Sequence, residues 1–179
     1  MRRMKQLQEL FDSPVPYEKD SEDEWTFTVN DIEYAVVFDR EIFFFRELIE
    51  QVPDLRIWFE SLTSRQVNGV MDNSGELAFM VNDLDMIIGG KSMSILDTGN
   101  QFTVFSTVLD ILMREIMPKP DSPPLLWFSA KEPSRAKLYH TFSKNIQKKV
   151  SDLEFIGFPV VYDHKEFFIF KNNSKIASV

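Results

Sequence analysis

Residues 125–130 read LLWFSA, an uncharged stretch set between the proline-rich PKPDSPP and the charged KEP. A continuous apolar run of this length suits a strand buried on both faces, whereas a strand with one wet face alternates. A chain that contains such a strand must place layers on both sides of a sheet. Its 179 residues are enough for one domain with a sizeable core. Seventeen phenylalanines in a composition that is 44% apolar supply the packing material, since each ring buries a large area with defined geometry.

The flanks of this run are helical. Pro133 suits the first turn of a helix, and Tyr139, Phe142, Ile146 and Val150 then recur at spacings of three and four, an inward stripe. Upstream, TGNQFTVFSTVLDILMREIM sets Phe105, Val108, Leu109, Leu112 and Ile116 on one stripe. Thr98 and Gln101 have capping-box spacing at its start. SMSIL, residues 92–96, reads as a short strand after the loop around Gly89 and Gly90. Joined to LLWFSA through a helix, it is expected to lie beside that strand and parallel to it.

The remainder divides into short elements. Met4, Leu7, Leu10 and Phe11 predict an amphipathic helix over 2–11, stopped by SPVP, and YEKDSEDE reads as a solvated acidic loop. EWTFTVN and IEYAVVFD predict a hairpin about Asn30 and Asp31. Residues 42–62 carry Phe45, Leu48, Ile49, Val52, Leu55, Trp58, Phe59 and Leu62 at helical spacing, broken into two helices at Pro53. RQVNGVMDNSGELAFMVND reads as strand, turn and strand about Asn73-Ser74-Gly75. EFIGFPVVYD and EFFIFKN predict a closing hairpin at Asp163-His164-Lys165, with Pro159 at an edge or bulge. No internal repeat is present. The fold class expected is mixed α/β.

Charge and composition exclude several classes. A net charge of −8 argues against general nucleic-acid binding, which needs a basic footprint. No apolar stretch reaches the length of a membrane span. MRRMKQLQELF lacks the apolar core and cleavage site of a secretory signal. With no cysteine, disulfide and thiolate chemistry are both absent, in keeping with a reducing compartment. His140 and His164 are far apart, and Asp83 and Asp85 lack calcium-loop spacing, so no metal site is expected. Ser129 and Ser134 near His140 lack a nucleophile elbow, which disfavours a hydrolase.

One region stands out. From Lys131 to Lys149 six lysines and arginines face a single glutamate, a local +5 within an acidic chain. If SMSIL and LLWFSA are parallel neighbours, the loops after them, 97–100 and 129–133, open toward one crevice, where ligands of open α/β sheets collect. Thr98, Gly99, Asn100 and Gln101 then start a helix whose unpaired amides suit an anion. Lys131 and Arg135 rim the crevice, and Tyr139 lies about two helical turns past Pro133. A tyrosine there can be core or a general acid.

The order from SMSIL through DTGNQF, TVFSTVLDILMREI, LLWFSA and PSRAKLYHTFSKNI to a final hairpin resembles the GCN5-related N-acetyltransferase (GNAT) family over residues 32–171. That leaves 1–31 (helix, acidic loop and first strand) as an extension to a GNAT-like domain at 32–179. TGNQFTVFSTV with FSAKEPSRAKLY is similar, more narrowly, to tailed-bacteriophage acetyltransferase-like proteins. The resemblance implies a mostly antiparallel mixed sheet with one parallel strand pair, flanked by helices. It implies acetyl-CoA as cofactor, with Thr98, Gly99, Asn100, Gln101, Lys131 and Arg135 binding it. It also implies Ala136 as a small packing residue and Tyr139 as proton donor to the leaving thiolate; it names no base toward the unidentified amine, for which Glu76 and Asp83 on the preceding hairpin are candidates.

The chain departs from the family's Gln/Arg-x-x-Gly-x-Gly/Ala loop. Leu96 takes the first position and Gln101 the second small one, and Asp97 adds a repelling charge. Two functions are thus expected in competition: an acyl-CoA-dependent N-acyltransferase, or an inactive scaffold that serves as a structural or protein-binding phage component. The location expected is the infected cell's cytoplasm or the virion.

Overall fold

The computed structural model describes residues 13–40, 42–61, 63–82, 99–131, 133–156 and 160–178. The expected helix at 2–11, the strand SMSIL and the loop around Gly89 lie outside them, as do Asp83, Asp85, Leu96, Asp97, Thr98 and Pro159. The fold is mixed α/β: the described residues form eight strands that are mostly antiparallel, with one parallel pair, and flanking helices. The chain forms two compact units: residues 1–38 with 78–116, and residues 39–77 with 117–179.

In the first unit, β1 (Tyr17–Ser21), β2 (Glu24–Val29) and β3 (Ile32–Asp39) are consecutive neighbours. β2 and β3 pair from Glu24↔Val37 to Val29↔Ile32. Their two-residue turn places Asn30 at φ 49° and Asp31 at φ 64°, the left-handed pair that a tight hairpin turn requires and that Asn and Asp tolerate. Trp25, Phe27 and Val29 alternate inward as their period-two spacing predicts. Asn82 N donates to Glu33 O at 2.9 Å, beside the end of β4 (Gly75–Val81). Helix α4 (Gln101–Ile111), extended by a π-helical turn at Leu112–Ile116, buries Phe105, Val108, Leu109, Leu112 and Ile116. Phe105 meets Phe79 edge to face at 5.6 Å.

The acidic segment expected as a solvated loop is instead β1, an edge strand. Tyr17↔Phe27 and Lys19↔Trp25 set its register. Side chains on its inner face hold it. Tyr17 Oη donates to Glu115 at 3.1 Å, Lys19 Nζ lies 3.8 Å from Glu115 and over the Trp25 ring, and Val15 N donates to Thr107 at 3.1 Å. The carboxylates that suggested a loop occupy the outer face and the turn, where charge blunts a strand edge.

In the second unit β5 (Leu125–Ala130) lies between β4, parallel, and β8 (Lys165–Asn172), antiparallel. Here the expected pairing is corrected. Trp127 pairs with Glu76 of β4 on one side and Ile169 of β8 on the other, so the place assigned to SMSIL is taken. β6 (Leu153–Phe155) and β7 (Val160–Tyr162) both pair with β8. The β7–β8 turn at Asp163 and His164 repeats the left-handed pair, at φ 47° and 59°.

Both faces of β5 are covered, as its unbroken apolar run predicts. Leu125 and Trp127, with Phe167 and Ile169, pack against Leu48 and Ile49 of α1 (Ile42–Gln51), Leu55 of α2 (Pro53–Glu60) and Val70 of α3 (Ser64–Asn73). On the opposite face Phe128 meets Phe142 and Tyr139 of α5 (Pro133–Lys149), together with Phe168 and Phe170. The last described element is α6 (Asn173–Ser178).

Helix α3 overturns the first strand of the hairpin expected over RQVNGVMDNSGELAFMVND, residues 65–83. Thr63 Oγ1 accepts from Gln66 N while Gln66 Oε1 accepts from Thr63 N, a complete capping box. Asn73-Ser74-Gly75 is the passage from this helix to β4 rather than a hairpin turn. Close by, Arg40 donates to Asn73 O and to Asp121 O and Oδ2 at 3.1–3.4 Å, clamping two loops with one guanidinium. Arg40→Ala is expected to destabilise the protein by about 1–2 kcal/mol, measured by urea unfolding, because three acceptors lose a charged donor at a partly exposed site.

Candidate functional site

The expected site residues fall in two groups, one in each unit. In the first unit, Gly99 is exposed at φ 73°, and a Cβ built there would meet nothing within 4 Å. Asn100 follows as N-cap of α4, but its side chain does not cap. Its Nδ2 donates to Val29 O at 3.1 Å and Tyr34 Oη at 3.0 Å, and its Oδ1 accepts from Asn30 Nδ2 at 2.7 Å. This 7%-exposed amide ties the start of α4 to the β2–β3 hairpin. Gln101 Oε1 is buried and has no hydrogen-bond partner among the described residues. Residues 99–104, GNQFTV, contain no cation.

A pyrophosphate would find backbone amides at this turn and room beside Gly99, but no cationic side chain among the described residues 99–104. The described side chains of this turn therefore add no positive charge to hold the cofactor that the resemblance implies.

In the second unit, β5 and α5 position the other group. Lys131, just after β5, is exposed, and Arg135, in the first turn of α5, is half-buried. Ala136 is buried. Tyr139, one turn on from Arg135, is 5% exposed. Its ring meets Phe128 at 5.2 Å and Phe168 at 5.8 Å, both edge to face. Burial pushes the Tyr139 phenol up to about 12, Arg135 works against that shift, and the Glu76 carboxylate adds to it. Glu76 accepts a hydrogen bond from Ser129 Oγ at 2.9 Å. His140 Nε2 lies 2.9 Å from Glu166 Oε1, its ring against Phe168.

The arrangement thus holds a carboxylate, a hydroxyl, a guanidinium and a neutral phenol near the end of β5. The Ser129–Glu76 bond carries no motif; only the parallel β4–β5 pairing brings residues 53 positions apart together. The inward role of Asn100 is equally silent in sequence, where an Asn after a Gly reads as turn and cap. Among the described residues no group of three potential ligands could hold a metal ion, and no helix is long and apolar enough to cross a membrane.

Tyrosine burial has a consequence at high pH. Tyr17, desolvated and donating to Glu115, is also pushed up to about 12. A group whose folded pKa exceeds its unfolded value of 10.0 stabilises the fold fully below that value, and loses the effect as pH rises through the folded one. Thermal midpoints are therefore expected to fall between pH 10 and about 12. The fall should be shallower in Tyr139→Phe, and an unchanged slope there would contradict the burial of the phenol.

Compared with known proteins, the chain matches no family model, no curated protein and no solved structure.

Proposed function

We propose that this chain is a protein-binding or structural component that keeps an acetyltransferase-like succession of elements without the chemistry, and, from the wording of 98–139, a bacteriophage component. The observation that carries this reading is the commitment of Tyr139 to the aromatic layer between Phe128 and Phe168. A phenol near 12 is a poor acid toward a thiolate of ordinary pKa near 8.5. Such a transfer is uphill by roughly three orders of magnitude. Asn100 points the same way, its amide spent on the β2–β3 hairpin.

A second reading, acyl-CoA-dependent acylation of an amine, draws support from the Glu76–Ser129 pair, whose carboxylate could accept an amine proton. The remaining acidic surface would favour a cationic acceptor. The two readings separate on acetyl-CoA. Binding to the folded state alone must raise the thermal midpoint, so the first reading expects no rise with cofactor in large excess. A rise accompanied by release of free thiol would replace it with the second. Tyr139→Phe, which keeps the ring, is expected to change stability by less than about 1 kcal/mol, read by urea unfolding.

A further inference from the structure

We propose that the protein self-associates head to tail, with the lysine face of α5 in one copy seated on the acidic outer face of β1–β2–β3 in the next. The inference holds for either reading of function. Lys137, Lys144 and Lys148 are exposed and fall on one side of α5 at spacings of seven and four. They form no ion pair among the described residues. From Lys137 to Lys148 the helix rises roughly 16 Å.

The acidic surface has a matching dimension. Glu24 is exposed on the outer side of β2, and the register sets Glu18 opposite Thr26 and Glu33 opposite Thr28. Three carboxylates, one on each of β1, β2 and β3, thus stand level with successive outward positions of β2, which span roughly 14 Å along that strand. Beside them an open groove of about 430 Å³ is lined by Tyr17, Glu18, Thr26, Thr28 and Glu33 among others. It has room for lysine side chains, whose stems lie along surface while the ammonium reaches a carboxylate.

β1 ends the strand order, and no strand among the described residues pairs with its outer edge. Its acidic residues repel the same edge of another copy, which disfavours β1-to-β1 pairing and leaves a cationic face as the complementary occupant. A contact between two different surfaces is heterologous, so association would continue beyond a dimer unless the ring closes.

Sedimentation of the full chain over a concentration series tests this. In about 0.1 M salt, where screening acts beyond roughly 10 Å, contact-distance pairs persist and self-association is expected; in about 1 M salt the dissociation constant should weaken at least tenfold. Lys137→Glu with Lys144→Glu, and separately Glu18→Gln with Glu33→Gln, should each reduce association at least tenfold. All four positions lie on the surface, and circular dichroism checks that the variants are folded. Mixed one to one, the two variants retain one intact contact and should form a capped heterodimer and nothing longer. A wild-type chain that stays monomeric in low salt, or associates equally at both salts, overturns the proposal, as do variants that associate like wild type.

Discussion

Phe128→Ala is expected to lower stability by about 3–5 kcal/mol, the range for an aromatic ring deleted from a packed core. Phe128 is 1% exposed and lies within 5.8 Å, centroid to centroid, of Tyr139, Phe142, Phe168 and Phe170. Alanine would remove the ring shared by β5, β8 and α5, and flanking aromatics cannot collapse into the space without leaving their own rotamers. Phe128→Leu, which refills much of the volume, should recover roughly half of the loss. Urea unfolding followed by tryptophan fluorescence reads both variants, since Trp127 sits next in sequence on the other face of the same strand. A Phe128→Ala loss below about 1 kcal/mol would mean that the aromatic layer is not the core described.

Asn100→Ala should cost about 2–4 kcal/mol, far more than an ordinary N-cap change. A cap lost at an exposed helix end costs about 1 kcal/mol. Here the amide is buried, and its removal leaves Val29 O, Tyr34 Oη and Asn30 Nδ2 each short of a bond. Buried groups stranded in this way cost about 1–3 kcal/mol apiece, less where water reaches them. Asn100→Asp keeps an acceptor for Asn30 and loses both donated bonds, so it should be destabilised nearly as much as alanine. Thermal denaturation of the two variants checks this; a loss within 1 kcal/mol for both would return Asn100 to the role of a simple turn residue.

The parts of the fold that pattern made legible are those where local chemistry and burial agree. LLWFSA reads as doubly buried because no polar residue interrupts it, and β5 is covered on both faces. The turns at Asn30-Asp31 and Asp163-His164 take the left-handed backbone that those residue types accept. Pro53 divides α1 from α2, and the α5 stripe from Tyr139 to Val150 is buried as spaced. Where two signals competed, the stronger was hidden. Asn73-Ser74-Gly75 suggested a hairpin, but the T-x-x-Q of Thr63–Gln66 starts a helix that runs through to that triplet. In the acidic segment, charge suggested solvation while Tyr17 and Lys19 alternate inward against β2.

The candidate site was less legible, because its geometry depends on pairing across long stretches of chain. Sequence order offered SMSIL as the parallel partner of β5; the backbone gives that place to β4, and with it brings Glu76 to Ser129. The phenol at 139 is ambiguous in sequence between packing and proton transfer. Neighbouring rings decide its environment, and only β8, more than 25 residues further on, supplies Phe168.

That Tyr139 and Asn100 serve the fold rather than a cofactor, as we propose, is tested by a thermal titration of the full chain with acetyl-CoA, with free thiol followed in parallel. An unmoved midpoint at millimolar cofactor and no thiol above the buffer rate are expected. A midpoint that climbs with cofactor concentration, together with thiol release that Tyr139→Phe slows, would contradict it.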